Sequence, residues 1–130
     1  MSPAATHHWS ADAVPASVPR LRRAIAGFAA EAGMGDPPLA DVKLAISEAL
    51  SNVVMHGYPG EREPGIIDIE AAYSGSELHV VIADRGGGMR PRIDSPGAGL
   101  GLPIIARVAG GFEIRDREPH GTELHLRFDA

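Results

Sequence analysis

Two polar residues, Glu48 and Asn52, stand four positions apart in a segment whose apolar residues recur at helical spacing. At about 100° per residue, they lie roughly 40° apart on one face of a helix, one turn from each other. A carboxylate in this position could orient or deprotonate a nucleophile, and an amide oxygen could hold Mg²⁺ beside phosphates. The same spacing is also typical of a polar pair on a solvated helix face, so this pair alone does not establish a site.

A second candidate is Asp84, which ends a strand-like run whose core-facing row, counted by twos, is Leu78, Val80 and Ile82. A carboxylate at the end of such a row is costly to bury unless something donates hydrogen bonds to it. Thr122 has the same phase as the apolar residues of the last predicted strand, so its hydroxyl also points to the buried side. A small polar ligand such as a base would satisfy both groups. In the alternative interpretation, the strand ends one residue earlier and Asp84 opens an exposed turn.

Two glycine-rich stretches could bring backbone close to a ligand. Three glycines, residues 86–88, follow Asp84 directly and permit close approach because they lack a Cβ. Residues 97–102, GAGLGL, run into a predicted helix, whose unpaired N–H groups favour an anion such as a triphosphate. No lysine follows as in a P-loop, and no parallel βαβ unit surrounds the stretch as in a dinucleotide-binding fold. A flexible loop that leads into a helix is the competing interpretation.

The elements that must position these residues can be predicted from periodicity and turn signals. Ser17 is expected to cap a first helix that Gly33 ends, and Asp36 to cap a second helix that runs to about Gly57. The predicted strands are 6–10, 66–73, 78–83, 112–115 and 122–128, and a short third helix is predicted over 102–108. Because strands and helices are grouped rather than strictly alternating, we predict an α+β fold. It would be a two-layer sandwich in which helices pack on one face of a mostly antiparallel sheet.

Length, charge and composition exclude several classes of protein. The 130 residues fit one domain, which we assign to residues 1–130, and the absence of cysteine excludes disulfides and thiolate metal sites. A net charge of −5 argues against a nucleic-acid partner, which requires a basic face. No apolar run approaches the roughly 20 residues of a membrane helix, and the first residues lack the layout of a signal peptide. We therefore expect a cytoplasmic protein with neither a nucleic-acid nor a membrane partner.

In order and spacing, these motifs resemble those of the gyrase/histidine-kinase ATPase superfamily. Residues 46–58, ISEALSNVVMHGY, are similar to its N-box, in the version of the anti-sigma serine kinases of the RsbW and SpoIIAB type. Residues 84–89, DRGGGM, resemble the first glycine box, and residues 97–102 resemble the second. The pair Gly121-Thr122 resembles the closing G-T of the last strand. The resemblance implies the histidine-kinase-like ATPase fold, also called the Bergerat fold, with ATP and Mg²⁺ as cofactors.

The resemblance also implies a role for each matching residue. Glu48 would be the catalytic carboxylate, as general base or to orient water, and Asn52 would coordinate Mg²⁺. Asp84 would accept a hydrogen bond from the adenine amino group, and Thr122 would support the base through its hydroxyl. The remaining predicted ATP-binding residues lie in the two glycine boxes, which would shape the adenine pocket and line the phosphates: Gly86, Gly88, Gly99, Leu100 and Gly101.

As a whole, the resemblance implies a serine/threonine protein kinase that phosphorylates a small STAS-type antagonist protein and binds a sigma factor, and it suggests a homodimer. One departure concerns an arginine that sigma-binding relatives often carry just before the second glycine box. This chain has SPGA at residues 95–98, and its nearest candidates are Arg90 and Arg92. The alternative function is therefore a non-catalytic, nucleotide-dependent protein-binding module. A pure ATPase fits less well, because a lid this short leaves few parts for a conformational motor.

Overall fold

The strands and helices of the computed structural model are described for residues 5–57, 65–86, 102–118 and 120–129. The strands are β1 (Ala5–Asp12), β2 (Ile66–Tyr73), β3 (Glu77–Asp84), β4 (Gly111–Asp116) and β5 (Thr122–Asp129). The helices are α1 (Ser17–Ala32), α2 (Asp36–Asn52) and α3 (Leu102–Val108), and a π-helical turn, Val53–Gly57, directly follows α2. None of these described helices is both long enough and apolar enough to cross a membrane.

The described strands form one sheet in the order β1-β2-β3-β5-β4, and each neighbouring pair is antiparallel. Alternate residues of the three inner strands point to the helices and are buried, as a half-covered sheet requires. These core residues include Ile67, Ile69, Leu78, Val80, Ile82, Leu124, Leu126 and Phe128. Helices cover one face of the sheet, so the predicted α+β architecture is confirmed.

The first helix ends as predicted but does not begin with the predicted cap. Ser17 is a buried residue inside α1, no side chain caps the helix, and the N-cap is Ala16 in a helical conformation. The cause is a backbone turn before the helix, in which the N–H of Ser17 donates to the carbonyl of Val14 at 2.9 Å and that of Val18 donates to Pro15 at 3.1 Å. The first N–H groups therefore already have partners, and a side-chain cap has nothing to satisfy.

The second helix begins with the predicted residue, although Asp36 does not cap it. The N-cap is Gly35 in an extended conformation, and the N–H of Leu39 donates to the Gly35 carbonyl at 3.1 Å. Residues 37 and 38 are prolines without N–H groups, so few donors remain in the first turn for a capping side chain. The predicted extension to Gly57 is correct in length, but the hydrogen bonding changes from α to π directly after Asn52. Turns of this kind occur often at functional sites.

The central strand β3 extends through Asp84, one residue beyond the predicted 78–83. The alternative in which Asp84 opens an exposed turn is wrong, because Asp84 is buried. β3 lies between β2 and β5, and its last residue pairs with the first residue of β5. Asp84 is therefore held by its backbone pairing with Thr122, which pairs on its other side with Asp116 of β4.

Candidate functional site

Asp84 and Thr122 form the centre of the candidate site. They are directly opposite each other in the β3–β5 register, and both are 0% exposed. Within the described part of the chain, neither carboxylate oxygen of Asp84 nor the hydroxyl oxygen of Thr122 has a hydrogen-bond partner. Buried polar side-chain atoms in proteins nearly always have such a partner. Three unpaired oxygens in one place are therefore the pattern expected of a site that a polar ligand completes.

The environment of Asp84 has two opposing effects on its charge. Burial raises the pKa of the carboxyl, because desolvation penalises the charged form. The nearby backbone N–H groups of Gly86 and Thr122, neither of which completes a hydrogen bond to the side chain, lower the pKa, as does the positive charge of Arg117. Asp84 is thus a buried acceptor whose charged form depends on a few surrounding dipoles and one cation.

The backbones at the end of β3 and the start of β5 approach each other closely at Gly121, which has a positive φ of 116°. A Cβ there would collide with the carbonyl oxygen of Asp84 and would lie 3.1 Å from the Cα of Arg85. Any other residue at this position would push the start of β5 away from the end of β3. The Gly-Thr pair found in the sequence therefore has a physical basis, because the glycine allows Thr122 to lie opposite Asp84.

Glu48 and Asn52, the predicted polar pair on α2, are less exposed than the helical periodicity indicated. Asn52 is 2% exposed and is the last residue of α2, whereas Glu48, one turn earlier, is half-buried. The interpretation of the pair as two polar residues on a solvated face is therefore wrong for Asn52. The π-helical turn that follows Asn52 packs against β3. This contact links the end of α2 to the strand that carries Asp84.

Part of the predicted site lies outside the described residues. Of the nine predicted site residues, the structure describes Glu48, Asn52, Asp84, Gly86 and Thr122. The others, Gly88, Gly99, Leu100 and Gly101, lie outside the described ranges, as do Arg90, Arg92 and residues 95–98.

One group of residues near the site was not predicted from the sequence. On the sheet face opposite the helices, Asp68 accepts hydrogen bonds from Ser10 of β1, from Arg85 just after β3 and from Arg117 just after β4. The pKa of Asp68 falls from 3.8 to about 2; burial opposes this fall, but the three hydrogen bonds and the charge of Arg117 outweigh it. The only sequence signal was the phase of Asp68, which it shares with Glu70 and which is opposite to that of the buried apolar residues of β2.

Comparison with known proteins decides the family. The histidine kinase-like ATPase domain family matches residues 11–128. This chain belongs to that family. As a histidine kinase-like ATPase domain, it is an ATP-binding domain.

Among its relatives, the domain is similar to an anti-sigma F factor of a Thermoanaerobacter species, with 32% identity over 116 residues that cover 81% of this chain and 80% of the relative. The anti-sigma F factor of Clostridium kluyveri is 30% identical over 119 residues, which cover 82% and 81% of the two chains. These relatives place the domain with the RsbW/SpoIIAB-type ATPases, and the predicted resemblance is confirmed.

A solved structure extends the similarity to the fold. The crystal structure of the RsbU and RsbW domains of a Mycobacterium tuberculosis protein matches with a TM-score of 0.75 and 25% identity. The match covers 99% of this chain but only 34% of that chain. The part that matches this domain is therefore about a third of the crystallised chain.

Proposed function

We propose that this domain binds Mg-ATP and acts in the cytoplasm as an anti-sigma-type regulator. It would bind a sigma factor and phosphorylate a serine or threonine of a small STAS-type antagonist protein. The observation that carries the proposal is the buried, unpaired carboxylate of Asp84 opposite the unpaired hydroxyl of Thr122. The names of the anti-sigma F factor relatives support the regulatory part of the proposal.

The chemistry of the two unpaired groups suits the edge of an adenine base. An ionised Asp84 can only accept hydrogen bonds, whereas the hydroxyl of Thr122 can donate or accept. Adenine presents an amino donor beside a ring-nitrogen acceptor, so one base would satisfy both residues. Gly86, and Gly88 by family resemblance, would let the backbone pass close to the ring.

The other predicted residues would hold the phosphates and the metal. Asn52 would supply one oxygen ligand to Mg²⁺, a hard cation that prefers oxygen. By family resemblance, Gly99, Leu100 and Gly101 would line the phosphates through their backbone. The metal would neutralise charge on the phosphates during transfer.

In the proposed transfer, Glu48 takes the proton from the serine or threonine hydroxyl of the antagonist. The hydroxyl oxygen bonds to the γ-phosphorus as the bond from that phosphorus to the bridging oxygen breaks, and ADP leaves. General-base help of this kind contributes roughly 10²–10⁴-fold to the rate. The half-buried position of Glu48 on α2 is compatible with a residue that must meet a second protein.

A nucleotide-dependent binding module is the second candidate function. The observation in its favour is the sequence SPGA at residues 95–98, because the family resemblance implies an arginine just before the second glycine box. Such a module would bind ATP and a protein partner without transferring the phosphoryl group. Either function would be compatible with a homodimer, which we propose by family analogy alone.

A phosphoryl-transfer assay separates these two functions. Proteins captured from the native cytoplasm with and without Mg-ATP would identify the antagonist, and label from ATP would then be followed onto it. We expect Glu48→Ala to keep Mg-ATP binding while transfer falls by roughly 10²–10⁴-fold. Asn52→Ala should instead weaken Mg-dependent binding, because one metal ligand is lost. The control is Glu31→Ala, the same substitution at an exposed position of α1.

The outcomes separate the residues as well as the functions. Absence of transfer by the wild type, despite tight ATP binding and a stable complex, contradicts the kinase and supports the binding module. Transfer that survives Glu48→Ala keeps the kinase and removes only the role of Glu48.

A further inference from the structure

We propose that Arg117 is a positioning residue for the adenine pocket. From the sheet face opposite the helices, it holds the end of β3 and the start of β5 together. It thereby sets how selectively Asp84 recognises the base. This inference rests on the proposed ATP site. Arg117 follows β4 directly and is not part of any motif that the sequence analysis identified.

The side chain of Arg117 is anchored by Asp68. Its Nη1 donates to Asp68 Oδ2 at 2.8 Å. Asp68 is itself fixed, because Oδ1 accepts from Ser10 Oγ at 2.8 Å and from Arg85 Nη2 at 3.2 Å, and Oδ2 also accepts from Arg85 Nε at 2.9 Å. Only 18% of the Asp68 side chain and 26% of the Arg117 side chain are exposed. Such charge-assisted hydrogen bonds in a partly buried setting hold a guanidinium in one orientation.

From this anchor, Arg117 contacts both strand ends of the pocket. Its Nη1 also lies within hydrogen-bond distance, 3.3 Å, of the backbone carbonyl of Asp84. Its backbone N–H donates to the carbonyl of Gly121 at 3.0 Å. Gly121 packs against the Asp84 carbonyl and directly precedes Thr122. One residue thus connects the backbones that present the unpaired carboxylate and the unpaired hydroxyl.

Arg117 also acts on Asp84 through its charge. The guanidinium favours the ionised carboxylate, whose pKa burial raises. A carboxylate accepts from the adenine amino group, whereas a protonated carboxyl would donate to a carbonyl at the same place. Loss of Arg117 therefore weakens recognition of adenine and favours a base with a carbonyl there.

The experiment compares ATP with inosine triphosphate (ITP), in which a carbonyl replaces the adenine amino group. Dissociation constants of both Mg-nucleotides for the full chain at pH 7 would be measured by calorimetry. The wild type should prefer ATP by about 10–100-fold, the share of one hydrogen bond to a charged group. In Arg117→Ala, this preference should shrink by at least about threefold, the scale of coupling between contacting residues. Arg117→Lys should be intermediate, because one ammonium keeps the charge but cannot replace the guanidinium contacts.

The matched control is Arg115→Ala, which removes the same charge two residues away. Arg115 is on the exposed face of β4, where it pairs with Glu113 at 2.8 Å. This variant should keep the wild-type ratio of the two dissociation constants. The ratio is the decisive quantity, because general destabilisation would weaken ATP and ITP binding equally.

Three outcomes of this experiment would contradict different parts of the proposal. An Arg117→Ala protein with the wild-type ratio, even if both nucleotides bind more weakly, overturns the positioning role and leaves the ATP site in place. If Arg117→Ala does not fold, as judged by circular dichroism, an unchanged ratio in Arg117→Lys overturns the role in the same way. A wild type that does not prefer ATP to ITP contradicts the adenine assignment itself.

Discussion

Asp84 and Thr122 face each other across β3 and β5 with their buried side-chain oxygens unpaired among the described residues. An unpaired buried polar group costs about 1–3 kcal/mol. A ligand that hydrogen-bonds both residues would remove this cost on binding. Local instability of this kind is a common feature of binding sites.

The first prediction concerns the pH dependence of ATP binding. Burial raises the pKa of Asp84 above 3.8, and the ionised form is the stronger acceptor for the adenine amino group. As the pH falls from 7 through this raised pKa, the carboxyl takes up a proton and the affinity for ATP should decrease. The measurement is a series of ATP titrations between about pH 7.5 and 4.5.

The control for this pH series is Asp84→Asn, which cannot titrate at that position. ATP has its own titrating groups, and these affect both proteins equally. The advantage of the wild type over Asp84→Asn should therefore shrink as the pH falls. Parallel pH profiles for the two proteins would contradict an adenine contact by an ionised Asp84.

The second prediction tests the close approach at Gly121. Gly121→Ala should lower the free energy of unfolding by about 2–4 kcal/mol, because strain at positive φ adds to a backbone collision with Asp84. The control is Gly33→Ala, at a similar φ of 118° but with nothing within 4 Å of the added Cβ, which should cost about 1 kcal/mol. Urea unfolding measures both, and ATP titration should show weaker binding for Gly121→Ala alone. Equal losses of stability in the two variants would refute the collision.

The third prediction concerns a histidine pair on the sheet face opposite the helices. His79 Nε2 lies 3.1 Å from His125 Nδ1, and His125 Nε2 lies 2.9 Å from Glu123 Oε1. Burial lowers the pKa of His79, and so do the neighbouring His125 and, more weakly, Arg127 and Arg115; Glu77 opposes this effect. The unfolded chain thus takes up a proton at higher pH than the folded one. Stability should therefore fall as the pH drops from above 6.5 through the lowered pKa.

Denaturant unfolding at about pH 7.5 and pH 5 tests this prediction. The loss of unfolding free energy between the two pH values should be smaller in His79→Gln than in the wild type. His8→Gln is the control, because His8 lies on the same sheet face with its side chain 75% exposed. An identical loss in the wild type and His79→Gln would show that His79 does not carry the effect.

Much of this arrangement could be predicted because it depends on strand periodicity. The alternation of apolar residues gave the bounds of β2, and it placed Asp84 and Thr122 on the buried side. Side-chain phase along a strand is a local property, so one sequence is enough to predict it.

Features that depend on packing between distant segments could not be predicted. The helical periodicity placed Asn52 on the polar face of α2. It could not show that Asn52 is nevertheless buried at the end of the helix. The hydrogen bonds around Asp68 form because Ser10 lies opposite Asp68 in the β1–β2 register, and because Arg85 directly follows β3 and Arg117 directly follows β4. Neither the register nor the strand order is visible in the spacing of these residues along the chain.

The most direct test of the account is a calorimetric titration of Mg-ATP into the wild type and Asp84→Asn. Replacing the acceptor by an amide should reduce ATP affinity by about 10–100-fold, since one charge-assisted hydrogen bond is lost. Without nucleotide, Asp84→Asn should be at least as stable as the wild type, because a buried charge is removed. A folded Asp84→Asn protein that binds ATP as tightly as the wild type would contradict the assignment of this site to adenine.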